Sequence, residues 1–193
     1  MNYPEYAKIG DKLYKINTDF RNAIECNRIA EDGEINDIER ALAIIYVLFG
    51  DEGLNAINDY EELLKKAKLY LSCGEVNKKN TKEEPDMDFI EDFSYIKTSF
   101  RSDYGINLDK EKMHWWEFYD LVNGLSNSEF GNCCVLNRIR NLRNYDTKDI
   151  KDEKTRRKII EAKKQVALKK NRKKATKEQQ ESANKLLKDL GLI

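Results

Sequence analysis

Apolar positions recur at helical spacing through most of the chain, interrupted by short polar segments. Phe20, Ala23, Ile24 and Ile29 predict a first helix, preceded by the capping candidates Asn17, Thr18 and Asp19 and ended by Asp32-Gly33. Asn36, followed three residues on by Glu39, predicts a capping box. The helix it opens is apolar nearly all round in its later part, at Ile38, Leu42, Ile45, Val47, Leu48 and Phe49, so a central position and a stop at Gly50 are expected. Asn58 or Asp59 is the expected cap of a third helix with a stripe of Leu63, Leu64, Ala67, Tyr70 and Leu71, closed by Gly74. Phe89, Phe93, Ile96, Phe100 and Tyr104 place five large side chains on one helix face before Gly105. Helices are also predicted over Met113–Gly124, from about 129 to 143, and over Ala175–Gly191, the last opened by Thr176. Against this period stands Ala7–Ile16, where Tyr14 and Ile16 alternate with lysines after Gly10-Asp11, the pattern of a short hairpin.

The fold expected is all-α: an irregular multi-helix bundle with a short N-terminal β-hairpin and an extended, basic C-terminal helical arm. Two prolines and nine glycines in 193 residues leave room for long helices and little for a turn-rich β fold. Residues 75–85 carry lysines, asparagines and Pro85 with no apolar period and predict a mobile surface loop. The expected division is a helical core over 1–147 and the basic arm over 148–193.

Charge adds a polarity that the net value of zero conceals. Residues 1–100 carry 13 Lys/Arg against 21 Asp/Glu, whereas residues 148–174 carry 13 against four. An acidic front and a basic rear suit self-association or contact with an acidic partner. Nucleic acid is the weaker partner for the basic stretch, because no aromatic side chain lies between Lys148 and Lys174 to stack on bases.

Candidate chemistry is sparse. His114 is the single histidine, so a nucleophile–base pair would have to recruit it with Cys133 or Cys134, for which no local signature exists. Adjacent residues on a helix point about 100° apart and rarely ligate one ion together. Phosphate-binding glycine loops are absent, and Cys26, Cys73, Cys133 and Cys134 lack CxxC spacing. The expectation is a binding protein that is not an enzyme, with no cofactor and no metal. No run of ~18 apolar residues occurs, and Met1–Gly10 has no basic flank leading into an apolar stretch, so neither membrane insertion nor export is expected.

The most unusual local feature is Trp115, Trp116, Phe118 and Tyr119, four aromatics in five residues, which cannot share one helix face. Either Trp116 with Phe118 or Trp115 with Tyr119 fills the core. The remaining ring would face outward and line a groove for a partner helix. The binding candidates are therefore Trp115, Trp116, Phe118 and Tyr119, with Lys154, Arg156, Arg157, Lys163 and Lys164 on the basic arm.

Three blocks carry a family resemblance: KLYKINTDFRNAI at Lys12–Ile24, LAIIYVLFG at Leu42–Gly50, and MHWWEFYDLVNGL at Met113–Leu125 with KDIKDEKTRRKIIEAKKQVAL at Lys148–Leu168. Over about residues 10–170 the chain resembles the gp-fifteen proteins of phages and prophages of Gram-positive bacteria. The resemblance implies a tail protein encoded between the major tail protein and the tape measure, the usual place of a tail assembly chaperone. Its expected partners are the tape-measure protein and the tail-tube protein, met in the host bacterial cytoplasm. The alternatives are a minor structural component of the tail and a nucleic-acid-binding phage regulator.

Overall fold

In the computed structural model the described residues are 3–75, 85–127 and 133–168. They are mostly helical, with seven α-helices and one two-stranded antiparallel sheet among them. They fall into two compact units, residues 3–75 in one and 85–168 in the other. The expected loop lies, apart from its ends, outside the described residues, as do the expected helix at 175–191 and the arm beyond residue 168. Residues 148–168, expected to begin a separate arm, belong to the second unit.

The first unit opens with β1 (Tyr6–Ile9) and β2 (Lys12–Lys15), paired in the register Tyr6↔Lys15, Ala7↔Tyr14, Lys8↔Leu13 and Ile9↔Lys12. Gly10 opens the two-residue turn at φ +56°, a conformation that costs glycine no Cβ clash. Ala7 and Tyr14, directly opposite, are buried, while Tyr6 and Leu13 stay exposed, as the two-residue period requires. The Tyr14 hydroxyl donates to Asp59 Oδ2 at 2.5 Å and Lys12 Nζ reaches the same oxygen at 2.8 Å. Asp59 therefore does not cap the third helix with its side chain, as expected from sequence. The hairpin's two donors hold its carboxylate instead.

Helix α1 (Phe20–Glu31) starts where Asp19 accepts from the Arg21 amide, and buries Phe20, Ala23, Cys26 and Ile29. Helix α2 (Asp37–Leu54) begins with the Asn36/Glu39 capping box. Its helical geometry breaks at Gly50, with φ +63° and ψ −157°, and a last turn follows to Leu54. Ile45, Leu48 and Phe49 are buried, but Ile38, Leu42 and Val47 are half-buried and Tyr46 is exposed. The all-round burial expected of α2 does not occur, because apolar composition does not by itself cover every face of a helix. Helix α3 (Tyr60–Leu71) buries Leu63, Ala67 and Tyr70. It ends with Gly74 donating to the Leu69 carbonyl and Cys73 to that of Tyr70, a Schellman arrangement in which Cys73 and Gly74 both take positive φ.

In the second unit α4 (Phe93–Tyr104) stops at Gly105, whose φ of +70° terminates the helix, and buries Ile96, Ser99 and Phe100. Phe89 precedes the helix instead of sitting on its face, in a turn where the Asp88 carboxylate accepts from the Ile90 and Glu91 amides. Helix α5 (Trp115–Asn123) is followed by α6 (Val135–Asn144), which starts later than expected. Cys133 pairs with Asn127 in an isolated bridge, and Cys134 is the N-cap, its sulfur accepting from the Asn137 amide. The buried Asn137 amide group donates to the Leu125 and Ser126 carbonyls, tying these two residues to α6. Helix α7 (Glu153–Val166) packs on α6.

Candidate partner-binding surface

The aromatic block folds inward. Trp115 and Phe118, one turn apart, are 1% and 0% exposed, and their rings stack at 5.8 Å. Phe118 stacks on Phe100 at 5.3 Å, and Phe89 meets the Trp115 ring edge-on at 5.3 Å. The inward pair is thus Trp115 with Phe118, neither of the two pairings expected from sequence. Trp116 and Tyr119 are half-buried, and Tyr119 also touches the rings of Trp115 and Phe89. His114 caps the helix, its Nδ1 accepting from the Trp116 amide at 3.0 Å.

The basic candidates lie on α7, which buries none of its residues. Asp152 starts it by accepting from the Thr155 amide. From Glu153 to Lys158 every residue is exposed, and Lys154, Arg156, Arg157 and Lys158 place four cations within five positions. Arg157 pairs with Glu153 one turn earlier, an exposed contact worth only ~0.3–0.5 kcal/mol. The second half of the helix is seated more closely, with Ile159, Ile160, Ala162, Lys163 and Val166 half-buried.

Arg143, near the end of α6, anchors that second half. Its Nε donates to the Val166 carbonyl at 2.6 Å and Nη1 to the Asp86 carbonyl at 2.8 Å. The guanidinium also forks onto Asp92, with both nitrogens 2.7 Å from the carboxylate oxygens. Asp92 is 1% exposed and further accepts from the Asp88 amide. The bond to Asp92 holds the Arg143 guanidinium above its ordinary pKa. Beside it Asp86 Oδ2 accepts from Asn144 at 3.0 Å and stands 3.2 Å from Arg140 Nε, an ion pair without hydrogen-bond alignment.

Beside this network lies an open groove of about 380 Å³, lined by Pro85, Asp86 and Arg143 together with Ile160, Lys163, Lys164, Ala167 and Leu168. Lys163 donates to the Tyr145 carbonyl at 2.5 Å, while Lys164 is exposed. Among the sequence candidates the structure therefore brings Lys163 and Lys164 to one groove. It spreads Lys154, Arg156 and Arg157 along the exposed half of the same helix, and places Trp115 and Phe118 in the core. Sequence reasoning missed Arg143, Asp86 and Pro85, since Arg143 meets Asp92 across 51 positions and no local spacing announces such a pair.

No helix among the described residues is long and apolar enough to cross a membrane. No curated protein and no solved structure matches the chain. Residues 4–168 match the family model described as Bacteriophage Gp15 protein, a span that takes in the hairpin, the seven helices among the described residues and the groove. The chain belongs to the bacteriophage Gp15 protein family.

Proposed function

We propose that this phage protein is a tail assembly chaperone, a binding protein without catalytic activity that holds the tape-measure protein soluble in the host cytoplasm while tail-tube subunits are recruited. The observation that carries the reading is α7, a 14-residue helix with no buried residue and an exposed half bearing four cations. A solvated cationic helix is suited to fast, reversible capture of a charged, extended helical partner, since surface charge governs encounter rate more than final affinity. Release is as necessary as capture for a chaperone, and exposed ion pairs let go readily. The aromatic block serves this surface indirectly, by fixing the second unit's core.

The test is co-expression with the tape-measure protein and recovery of the soluble complex, comparing the wild type with Lys154→Glu/Arg156→Glu/Arg157→Glu. All three side chains are exposed, so the variant is expected to keep its fold, which circular dichroism checks. The wild type is expected to keep the tape measure soluble in low salt and less well at high ionic strength, and the variant to recover less of it. Mass spectrometry of purified virions is expected to find the chaperone absent. Its presence at fixed stoichiometry would instead make it a minor structural tail component.

A further inference from the structure

We infer that the groove between Arg143 and α7 is a docking site for one turn or two of an acidic amphipathic helix. This assignment rests on the chaperone reading for its biological partner but stands on the groove's own chemistry. A volume of about 380 Å³ is within the ~300–1,000 Å³ typical of ligand sites. Small-ligand sites, however, hold their ligands with convergent, directed polar groups, and here those groups satisfy one another. Arg143 spends four hydrogen bonds on Val166, Asp86 and Asp92, and the Asp86 carboxylate is engaged by Asn144 and Arg140. What the groove offers an incoming molecule is apolar wall, from Pro85, Ile160, Ala167 and Leu168, with the exposed ammonium of Lys164 beside it, that of Lys163 being held by the Tyr145 carbonyl.

Ammonium groups on flexible stems make no demand for a particular planar geometry, unlike a guanidinium fork. They select negative charge at roughly the right place. Apolar wall beside mobile positive charge fits leucine-like side chains at i, i+3 and i+4 with carboxylates on the flanking positions, the pattern of an amphipathic helix laid into a groove. A nucleic-acid strand would use Lys164 but leave the apolar wall uncovered. The exposed cations at Lys154–Lys158 lie on the same helix, so a longer acidic helix would continue along it.

The experiment uses the full chain and a fluorescein-labelled synthetic helix carrying leucines at that spacing with flanking glutamates. The controls are the same peptide with glutamates replaced by lysines, a scrambled acidic peptide, and a single-stranded oligonucleotide of equal charge. Two variants at exposed positions are read by anisotropy: Lys164→Glu, which reverses the charge, and Ala167→Trp, which fills the groove. Expected are saturable binding of the acidic amphipathic peptide alone and an affinity weakened roughly 5- to 10-fold by Lys164→Glu. Ala167→Trp is expected to weaken it at least as much, with unchanged circular dichroism in both variants. Equal binding of the scrambled peptide, tighter binding of the oligonucleotide, or indifference to both variants would overturn the assignment. If the peptide binds as expected while wild type leaves the tape measure insoluble, the groove stands and the chaperone reading falls. If both variants solubilise the tape measure as well as the wild type and bind the peptide unchanged, the reverse holds.

Discussion

Asp59 shows how one side chain can decline the role its position suggests. It stands before α3 where a cap is expected, yet its carboxylate accepts from Tyr14 and Lys12 across more than 40 positions. The Lys12 bond first, and then that of Tyr14, hold its pKa below the ordinary carboxylate value. A folded-state pKa below the unfolded one means that the unfolded chain takes up the proton first as pH falls. The stabilisation is therefore complete above about pH 5 and is lost as pH drops through the folded-state value, below the ordinary ~3.9. Asp59→Asn is expected to lower the melting temperature at pH 7, with the gap from wild type closing toward pH 3. A gap that stayed constant would show that the charge of Asp59 contributes nothing. At this scale the sequence was least readable: the hydroxyl and ammonium partners of Asp59, and the capping use of His114, depend on which elements meet. The caps that did show, Asp19 and the Asn36/Glu39 box, bond only to their own helix ends.

Among the elements, α2 carries the sharpest backbone demand. Gly50, at φ +63° and ψ −157°, occupies a region that side chains rarely enter, yet a Cβ placed there would meet nothing within 4 Å. Gly50→Ala thus isolates conformational strain from packing, and is expected to cost about 1–3 kcal/mol, measured by denaturant unfolding. Gly53 presents the opposite case: its Cβ would lie 2.4 Å from that of Phe49, so Gly53→Ala must displace the helix's own last turn. The break at Gly50 was legible because glycine after an apolar run is a strong local signal. Helix periods were legible for the same reason in α1, α3, α4 and α5, whereas α7 was expected only as part of a basic helical arm. The late start of α6 was not, because Cys133-Cys134 reads as apolar in a pattern and acts here as bridge and cap. The inward pair of α5 was also out of reach, since Trp115, Trp116, Phe118 and Tyr119 are all large enough for a core and only the rings of Phe89 and Phe100 decide between them.

For the whole chain, charge distribution and family membership were both readable from sequence, the first as composition and the second in blocks that lie within residues 4–168. The groove was not, because its walls come from Pro85–Asp86, the end of α6 and the second half of α7. One residue joins those distant pieces. Breaking a buried ion pair by removing one partner costs about 3–5 kcal/mol, so Arg143→Met is expected to destabilise the second unit on that scale and to loosen α7. The bonds of Arg143 span 23, 51 and 57 positions, so none can form before the chain between its ends has been drawn together. Contacts of this span are expected to close late, so that loss of Arg143 speeds unfolding while leaving the folding rate nearly unchanged, as stopped-flow kinetics would read. A chain leaving the ribosome has made Asp86 and Asp92 long before Arg143 arrives, and Val166 after it. The groove's walls cannot meet until synthesis has passed residue 168, so a partner that needs the groove engages only after that point.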